Sequence, residues 1–287
     1  MNVLSLFDGM SCGMIALERA GIKVDNYFAS EIDEAAIAVS KSNYPNIIRL
    51  GDVCDISYIG GKLYKRDELI FEGKIDLVIG GSPCQSISNM GDGSGLAGKS
   101  GLFYQFFRLL KDTNPAYFLL ENVQGNKKAL SEITRIMGVT PVKFNSNLVS
   151  AQNRNRLYWS NILYSLPEDK GISLVDILDN DLKETHTLKP GRYKWITEGK
   201  GLDCIQKRYA SLDGHKSQCL TARGDASWNC QYVTRNGIVT KLSPEEWEKL
   251  QTVPVGYTKC ASTKDRYKML GNGWTVDVIA HIFGSIK

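Results

Sequence analysis

The first 120 residues alternate short apolar runs with helical patterns, and this alternation constrains the fold more than any other feature of the chain. Strand-like runs fall at Asn2–Phe7, Asn26–Ser30, Ile47–Leu50, Ile75–Ile79 and Ala116–Leu120, and helical spacing at Gly13–Ala20, Glu34–Asn43 and Leu102–Lys111. Phe103, Phe106, Phe107, Leu109 and Leu110 form an apolar stripe on the last helix, the pattern of core packing. The fold class is α/β: a doubly wound, mostly parallel sheet.

A helix near Lys128–Met137 and a hairpin from Val142 to Ile162 follow. After Pro167 the pattern degrades, and residues 165–240 are rich in Gly, Thr, Ser, Lys and Arg, as in a small loop-rich inserted lobe. Ser243-Pro244-Glu245-Glu246 restores order with a serine cap, a proline in the first turn and acids beside the helix start. Val276–Phe283 reads as a closing helix. The expected organisation is a catalytic and cofactor-binding domain over 1–164, an insert over 165–240, and a return to the first domain over 241–287.

The 287 residues are 43% hydrophobic and 23% charged, ordinary for a soluble globular protein. A net charge of +4 permits a nucleic-acid partner without demanding one. Seven cysteines without a Cys-x-x-Cys pair, and only three histidines, argue against a structural metal site. An odd cysteine count fits a reducing cytoplasm. The apolar stretch at the amino terminus is too short for a signal sequence, and no apolar run is long enough to cross a bilayer.

Three acids follow successive strands: Asp8, Glu31 and Asp52. A carboxylate after the second strand can accept from both hydroxyls of a ribose, and one after the third from an adenine amine. Helix capping is the plainer role for each alone. Asp8 discriminates among adenosine-bearing cofactors, since a carboxylate repels a pyrophosphate and attracts an ammonium. It favours S-adenosylmethionine over a nicotinamide dinucleotide.

Residues 75–85, Ile-Asp-Leu-Val-Ile-Gly-Gly-Ser-Pro-Cys-Gln, present Cys84 after a buried strand, with Pro83 restraining the loop. Such a cysteine is either a nucleophile at a strand end or a small core residue. Glu121 ends the apolar run 117–120, where desolvation favours its protonated form. Strand alternation puts Arg154 and Arg156 of Gln152-Asn153-Arg154-Asn155-Arg156 on one side, either to hold an anion or as a solvated hairpin edge.

These motifs, in this order, resemble those of the DNA cytosine-5 methyltransferases across nearly the whole chain apart from the insert. The matching elements are Phe7-Asp8-Gly9, Glu31, Asp52, Gly80–Gln85, Glu121-Asn122-Val123, Gln152-x-Arg154-x-Arg156, Leu242–Tyr257 and Leu270-Gly271-Asn272. Ser5–Gly9, Ala29-Ser30-Glu31, Asp76–Cys84 and Trp274 are similar to the catalytic domain of the mammalian de novo enzymes in particular. Ser11 stands where many bacterial members carry glycine, and Trp274 where many carry a smaller residue.

The resemblance implies a Rossmann-like S-adenosylmethionine-dependent methyltransferase acting on double-stranded DNA. Cys84 would attack cytosine carbon 6 and Glu121 would donate to ring nitrogen 3. Arg154 would steady the base-side contacts, with Arg156 and Asn122 bracing the site. The cofactor would be held by Phe7, Asp8, Gly9, Cys12, Gly13, Glu31, Ile32, Asp52, Val53, Ser82, Pro83, Asn272 and Trp274. The loop Ser86–Gly101, with five glycines, would close over a flipped base. Gln85, Ser86, Lys207, Arg208, Lys216 and Arg235 are the expected DNA contacts, with Arg223 of Ser217–Gly224 as base reader or phosphate contact. No metal and no membrane enter this reading, and a bacterial or phage-infected cytoplasm is the implied setting. A transfer-RNA enzyme of the same chemistry and a non-catalytic DNA-binding relative are the alternatives.

Overall fold

A computed structural model describes residues 1–83, 101–179, 181, 187–198, 216–224 and 231–287. The chain forms two compact units, one of Met1–Phe144, Asn155–Leu166 and Ile279–Lys287, the other of Asn145–Arg154 and Pro167–Val278.

The first unit carries strands β1 (Asn2–Leu6), β2 (Asn26–Ser30), β3 (Ile48–Arg49), β4 (Ile56–Ile59), β5 (Lys62–Lys65), β6 (Glu68–Glu72), β7 (Leu77–Gly81), β8 (Tyr117–Val123), β9 (Val142–Asn145, all but its last residue) and β10 (Asn155–Ser160). Seven of them form a sheet in the order β3-β2-β1-β7-β8-β10-β9. The β1–β2, β2–β3, β1–β7 and β7–β8 pairs are parallel, and β10 runs antiparallel to β8. β1 is an interior strand, and Val3, Leu4, Ser5 and Leu6 are all buried, as in a strand covered on both faces.

Helices Cys12–Arg19, Glu34–Asn43, Leu102–Thr113 and Lys127–Met137 connect these strands. Asp33 starts the second of them by accepting the Ala35 and Ala36 amides at 3.1 and 3.2 Å. Helix Leu102–Thr113 buries Phe103, Phe106, Leu109 and Leu110 against Leu4, Leu6, Phe28, Val78 and Leu120. Each such side chain contributes about 1.5–3 kcal/mol. Gly80 belongs to this contact, because a β-carbon there would lie 2.7 Å from the Leu6 carbonyl oxygen and 3.1 Å from Phe106.

Strands β4, β5 and β6 make a separate antiparallel sheet that the sequence pattern does not announce. Its strands are short and mostly half-exposed, so little apolar alternation marks them.

The second unit holds helix Pro190–Glu198, the hairpin β11 (Tyr232–Arg235) and β12 (Ile238–Lys241), and helices Pro244–Leu250 and Thr263–Asn272. Ser243 Oγ accepts the Glu246 amide at 3.2 Å while the Glu246 carboxylate accepts the Ser243 amide at 2.8 Å, a reciprocal cap. The closing helix, Val276–Phe283, begins in this unit and ends in the first. The division differs from the expected return at 241–287, since residues 241–278 lie with the second unit. Arg235 pairing with Glu246, and Lys249 Nζ with Asp179 Oδ1 at 2.8 Å, tie helix Pro244–Leu250 to residues of the expected insert within this unit.

Candidate active site

β1 has β2 on one side and β7 on the other, so the connections diverge there and leave a crevice beyond the strand ends. The chain leaves β1 through a turn in which Phe7, Gly9 and Ser11 all take positive φ, at 58°, 60° and 64°. For Phe7 and Ser11 this is a strained conformation. Glu31 holds the turn: its Oε2 accepts the Gly9 amide, and its Oε1 accepts the Ile32 and Asp33 amides, each at 2.8 Å.

The Asp8 carboxylate accepts from Ser5 Oγ at 2.6 Å, Tyr27 Oη at 2.7 Å and Ser11 Oγ at 2.5 Å. Ser11 Oγ lies 2.6 Å from Ser40 Oγ, which accepts from Arg49 Nη2 at 3.1 Å. Burial raises the Asp8 pKa above its ordinary 3.8, against the hydroxyl donors and with help from the Glu31 charge. Burial, then the Asp8 charge, pushes the Tyr27 hydroxyl well above its usual range, which keeps it a donor.

A shallow recess opens among Asp8, Gly9, Ala29, Glu31, Ile37, Ser40 and Arg49. Ile37, Ser40 and Arg49 were not among the expected residues. The helical spacing of Ile37 and Ser40 after the Asp33 cap is the sequence signal that points to them. Three amides of the loop are engaged internally: Asp8 N–H by Ser30 O, Gly9 N–H by Glu31 and Ser11 N–H by Asp8 O. Two carboxylates beside the recess fit a cationic nucleoside cofactor and oppose a pyrophosphate.

The other expected cofactor residues differ in their surroundings. Ile32 is 69% exposed beside Glu31. Asp52 is exposed and caps a helical turn by accepting the Cys54 amide at 2.9 Å. Cys12, Gly13 and Val53 are buried and are not among the residues lining the recess, and Val53 packs in the core. Asn272 is exposed and Trp274 half-buried, both in the second unit.

Parallel pairing sets Gly81 opposite Glu121, so the loop leaving β7 begins beside that acid. Asn122 Nδ2 donates to Ser82 Oγ at 3.1 Å and to its carbonyl at 3.4 Å, tying β8 to the backbone just before Pro83. Arg156 Nε meets Glu121 Oε1 at 2.9 Å. Glu121 is buried at 9% exposure, at the strand end where the sequence places it, and has a cation as partner, which the sequence pattern does not show. Cys84, Gln85, Ser86, the rest of the glycine-rich loop to residue 100, Lys207 and Arg208 lie outside the described residues.

Arg154 and Arg156 do not share a strand face. β10 starts at Asn155, and the two arginines belong to different units. Arg154 is 3% exposed, and its guanidinium donates to the carbonyls of Leu220, Gly271 and Gly273. This corrects its expected base-side role.

Arg235 is likewise no DNA contact: it is 5% exposed and paired through both terminal nitrogens with the Glu246 carboxylate at 2.5 and 2.6 Å. Lys216 Nζ donates to the Asn147 and Ser150 carbonyls at 2.8 and 3.2 Å, which makes it a brace rather than a surface cation. Basic residues look alike in a sequence, and only their acceptors separate surface cations from internal ones. Arg223 is exposed on the turn closed by Gly224 N–H to Thr221 O at 3.0 Å.

The doubly wound sheet and its acid-lined switch point place the chain among the α/β proteins that bind a nucleoside-bearing cofactor at the carboxyl ends of their strands. A solved structure assigned as a DNA modification methyltransferase of an E. coli prophage matches 100% of this chain and 98% of its own at a TM-score of 0.70 and 20% identity, a likeness of fold. Type II methyltransferase M.FnuDI of Fusobacterium nucleatum is 27% identical over an alignment covering 100% of this chain and 94% of that protein. Type II methyltransferase M.NgoPII of Neisseria gonorrhoeae is 36% identical over 44% of this chain and 34% of that protein. The family model for C-5 cytosine-specific DNA methylases matches residues 1–222 and 166–287, and the chain belongs to that family. Its activity is that of a DNA cytosine-5 methyltransferase, and S-adenosylmethionine is the cofactor that the family and fold imply.

Proposed function

We propose that the chain methylates a flipped cytosine in double-stranded DNA through a transient bond between Cys84 and the base. The observation that carries this reading is the Ser82–Asn122 and Glu121–Arg156 arrangement, which fixes the start of the Cys84 loop beside a held acid. Asp8, Gly9, Glu31, Ile32 and Ile37 would hold S-adenosylmethionine, which supplies an electrophilic sulfonium methyl.

Extruding the base costs a few kcal/mol, offset by contacts in the site. The Cys84 thiolate attacks carbon 6, forming the S–C6 bond and moving electron density to carbon 5. Glu121 holds a proton at ring nitrogen 3, so the charge that develops there is neutralised. Arg156 orients that carboxyl. Once carbon 5 is methylated, its proton leaves to a base, the S–C6 bond breaks, and the thiolate returns. Phosphate contacts supply much of the affinity, so binding weakens steeply with salt.

Bisulfite sequencing of DNA from cells expressing the chain tests the reading. Protected cytosines within one recurring duplex motif are expected, and their absence, or methylation of transfer RNA alone by the purified protein, would overturn it.

A further inference from the structure

We propose that Gln152 and Arg154 are positioning residues that lock the segment Ser217–Gly224 and thereby set how Arg223 is presented to DNA. They govern discrimination between DNA sequences rather than the chemical step. The inference deepens the methyltransferase reading and rests on it.

Residues 151–153 and Ser217 form a short parallel bridge, with Ser217 N–H to Ala151 O at 2.7 Å and Asn153 N–H to Ser217 O at 2.8 Å. Both backbone groups of Leu220 are then taken by side chains. Gln152 Oε1 accepts its amide at 2.9 Å, and Arg154 Nη1 donates to its carbonyl at 2.9 Å. Gln152 is itself anchored, its Nε2 donating to Leu250 O and Gln251 Oε1 at 3.2 Å each. Arg154 Nη2 reaches the other way, to Gly271 O at 3.1 Å and Gly273 O at 2.9 Å. One guanidinium thus joins the segment to the end of helix Thr263–Asn272.

Packing closes the remaining freedom. A β-carbon at Gly271 would lie 2.2 Å from the Thr221 backbone, so the two backbones touch. A β-carbon at Gly224 would lie 1.8 Å from the Trp247 ring. The segment is fixed on both sides of Ala222 and Arg223, which are its exposed residues at the turn. An arginine on a rigid turn reads a base edge or a phosphate at a defined register, and a loosened turn loses that register while keeping the charge.

Lysine cannot reproduce the planar fork that spans these carbonyls, which makes Arg154→Lys the informative variant. The probes are the duplex methylated in the bisulfite experiment and duplexes with one flanking base pair changed. The ratio of kcat/KM between them is expected to fall about tenfold in Arg154→Lys. The single-turnover rate at saturating cognate DNA should stay within about threefold of wild type. In an Arg223→Ala background the loss of discrimination should vanish, as expected for two residues acting through one segment.

Exchange of the Leu220 amide should speed up in Arg154→Lys, and in Gln152→Asn, which shortens its acceptor and serves should the lysine variant not fold. Unchanged Leu220 exchange, or a hundredfold loss of single-turnover rate with discrimination intact, would overturn the proposal. Faster exchange together with a wild type that methylates no duplex would instead count against the reading of function, leaving the clamp itself standing.

Discussion

Arg156 Nε meets Glu121 Oε1 at 2.9 Å, and the two side chains are nearly equally enclosed, at 13% and 11% exposure. Antiparallel pairing of β10 with β8 sets Arg156 opposite Val123 and Tyr158 opposite Glu121, so the ion pair crosses the sheet diagonally. The acid is held from one strand while the Cys84 loop starts from the strand on its other side. Replacing Glu121 by Gln exchanges a carboxyl that can transfer a proton for an amide that cannot, and should lower kcat about a hundredfold or more. DNA affinity should change little, read by methyl-transfer kinetics beside equilibrium binding. Arg156→Ala removes the guanidinium from a largely enclosed carboxylate and should cost about 3 kcal/mol in urea unfolding.

Asn122 is a brace whose removal separates position from chemistry. Asn122→Ala loses the bonds to Ser82 and leaves a buried hydroxyl and carbonyl short of a donor. A loss of about 1–2 kcal/mol is expected. The single-turnover methylation rate should fall about tenfold, because the backbone before Pro83 is no longer held. Wild-type kinetics in this variant would detach Asn122 from the site.

The Asp8 pKa predicts a pH dependence of stability. An acid whose folded pKa is raised contributes fully below its unfolded value, near 3.8, and loses that contribution as pH climbs through the folded value. Asp8→Asn has no such titration. The unfolding free energy of wild type minus that of Asp8→Asn should therefore decline as pH rises from about 4 and then level off. A flat difference would show that burial of this carboxyl is unimportant.

Arg235 is assigned to the interior, and a salt titration separates that from a DNA contact. Arg235→Ala takes the guanidinium from the Glu246 carboxylate, which is fully buried and keeps the Ser243 and Asp179 amides as donors, and should destabilise the fold by about 3 kcal/mol. The slope of DNA affinity against salt should be unchanged, whereas loss of a phosphate contact would reduce it by about one.

Much of this molecule was legible in its sequence where local chemistry decides the outcome. Asn26–Ser30 and Glu34–Asn43 keep their expected bounds because an apolar run and an aspartate cap define them locally. The Ser243 cap was readable for the same reason. Strands β4–β6 were not, since short half-exposed strands carry little periodic signal. Helix Thr263–Asn272 was missed because its buried residues include Arg266 and Gly271, which no apolar pattern marks.

In the site, the strand-end acids were legible from their positions, and their partners were not. Nothing in the sequence shows that Glu31 spends its oxygens on the Gly9, Ile32 and Asp33 amides. Nor does it show that Arg154 and Arg156, so near in the chain, serve separate units. Those are consequences of tertiary contact, which spacing does not encode.

The most direct test of the proposed chemistry is mass spectrometry of the protein incubated with S-adenosylmethionine and duplex target DNA containing 5-fluorocytosine. Fluorine at carbon 5 blocks the final elimination, so a covalent complex mapped to the peptide bearing Cys84, and lost in Cys84→Ala, is the predicted result. A wild type that methylates the normal duplex but traps no adduct, or an adduct that persists without that sulfur, would contradict the account.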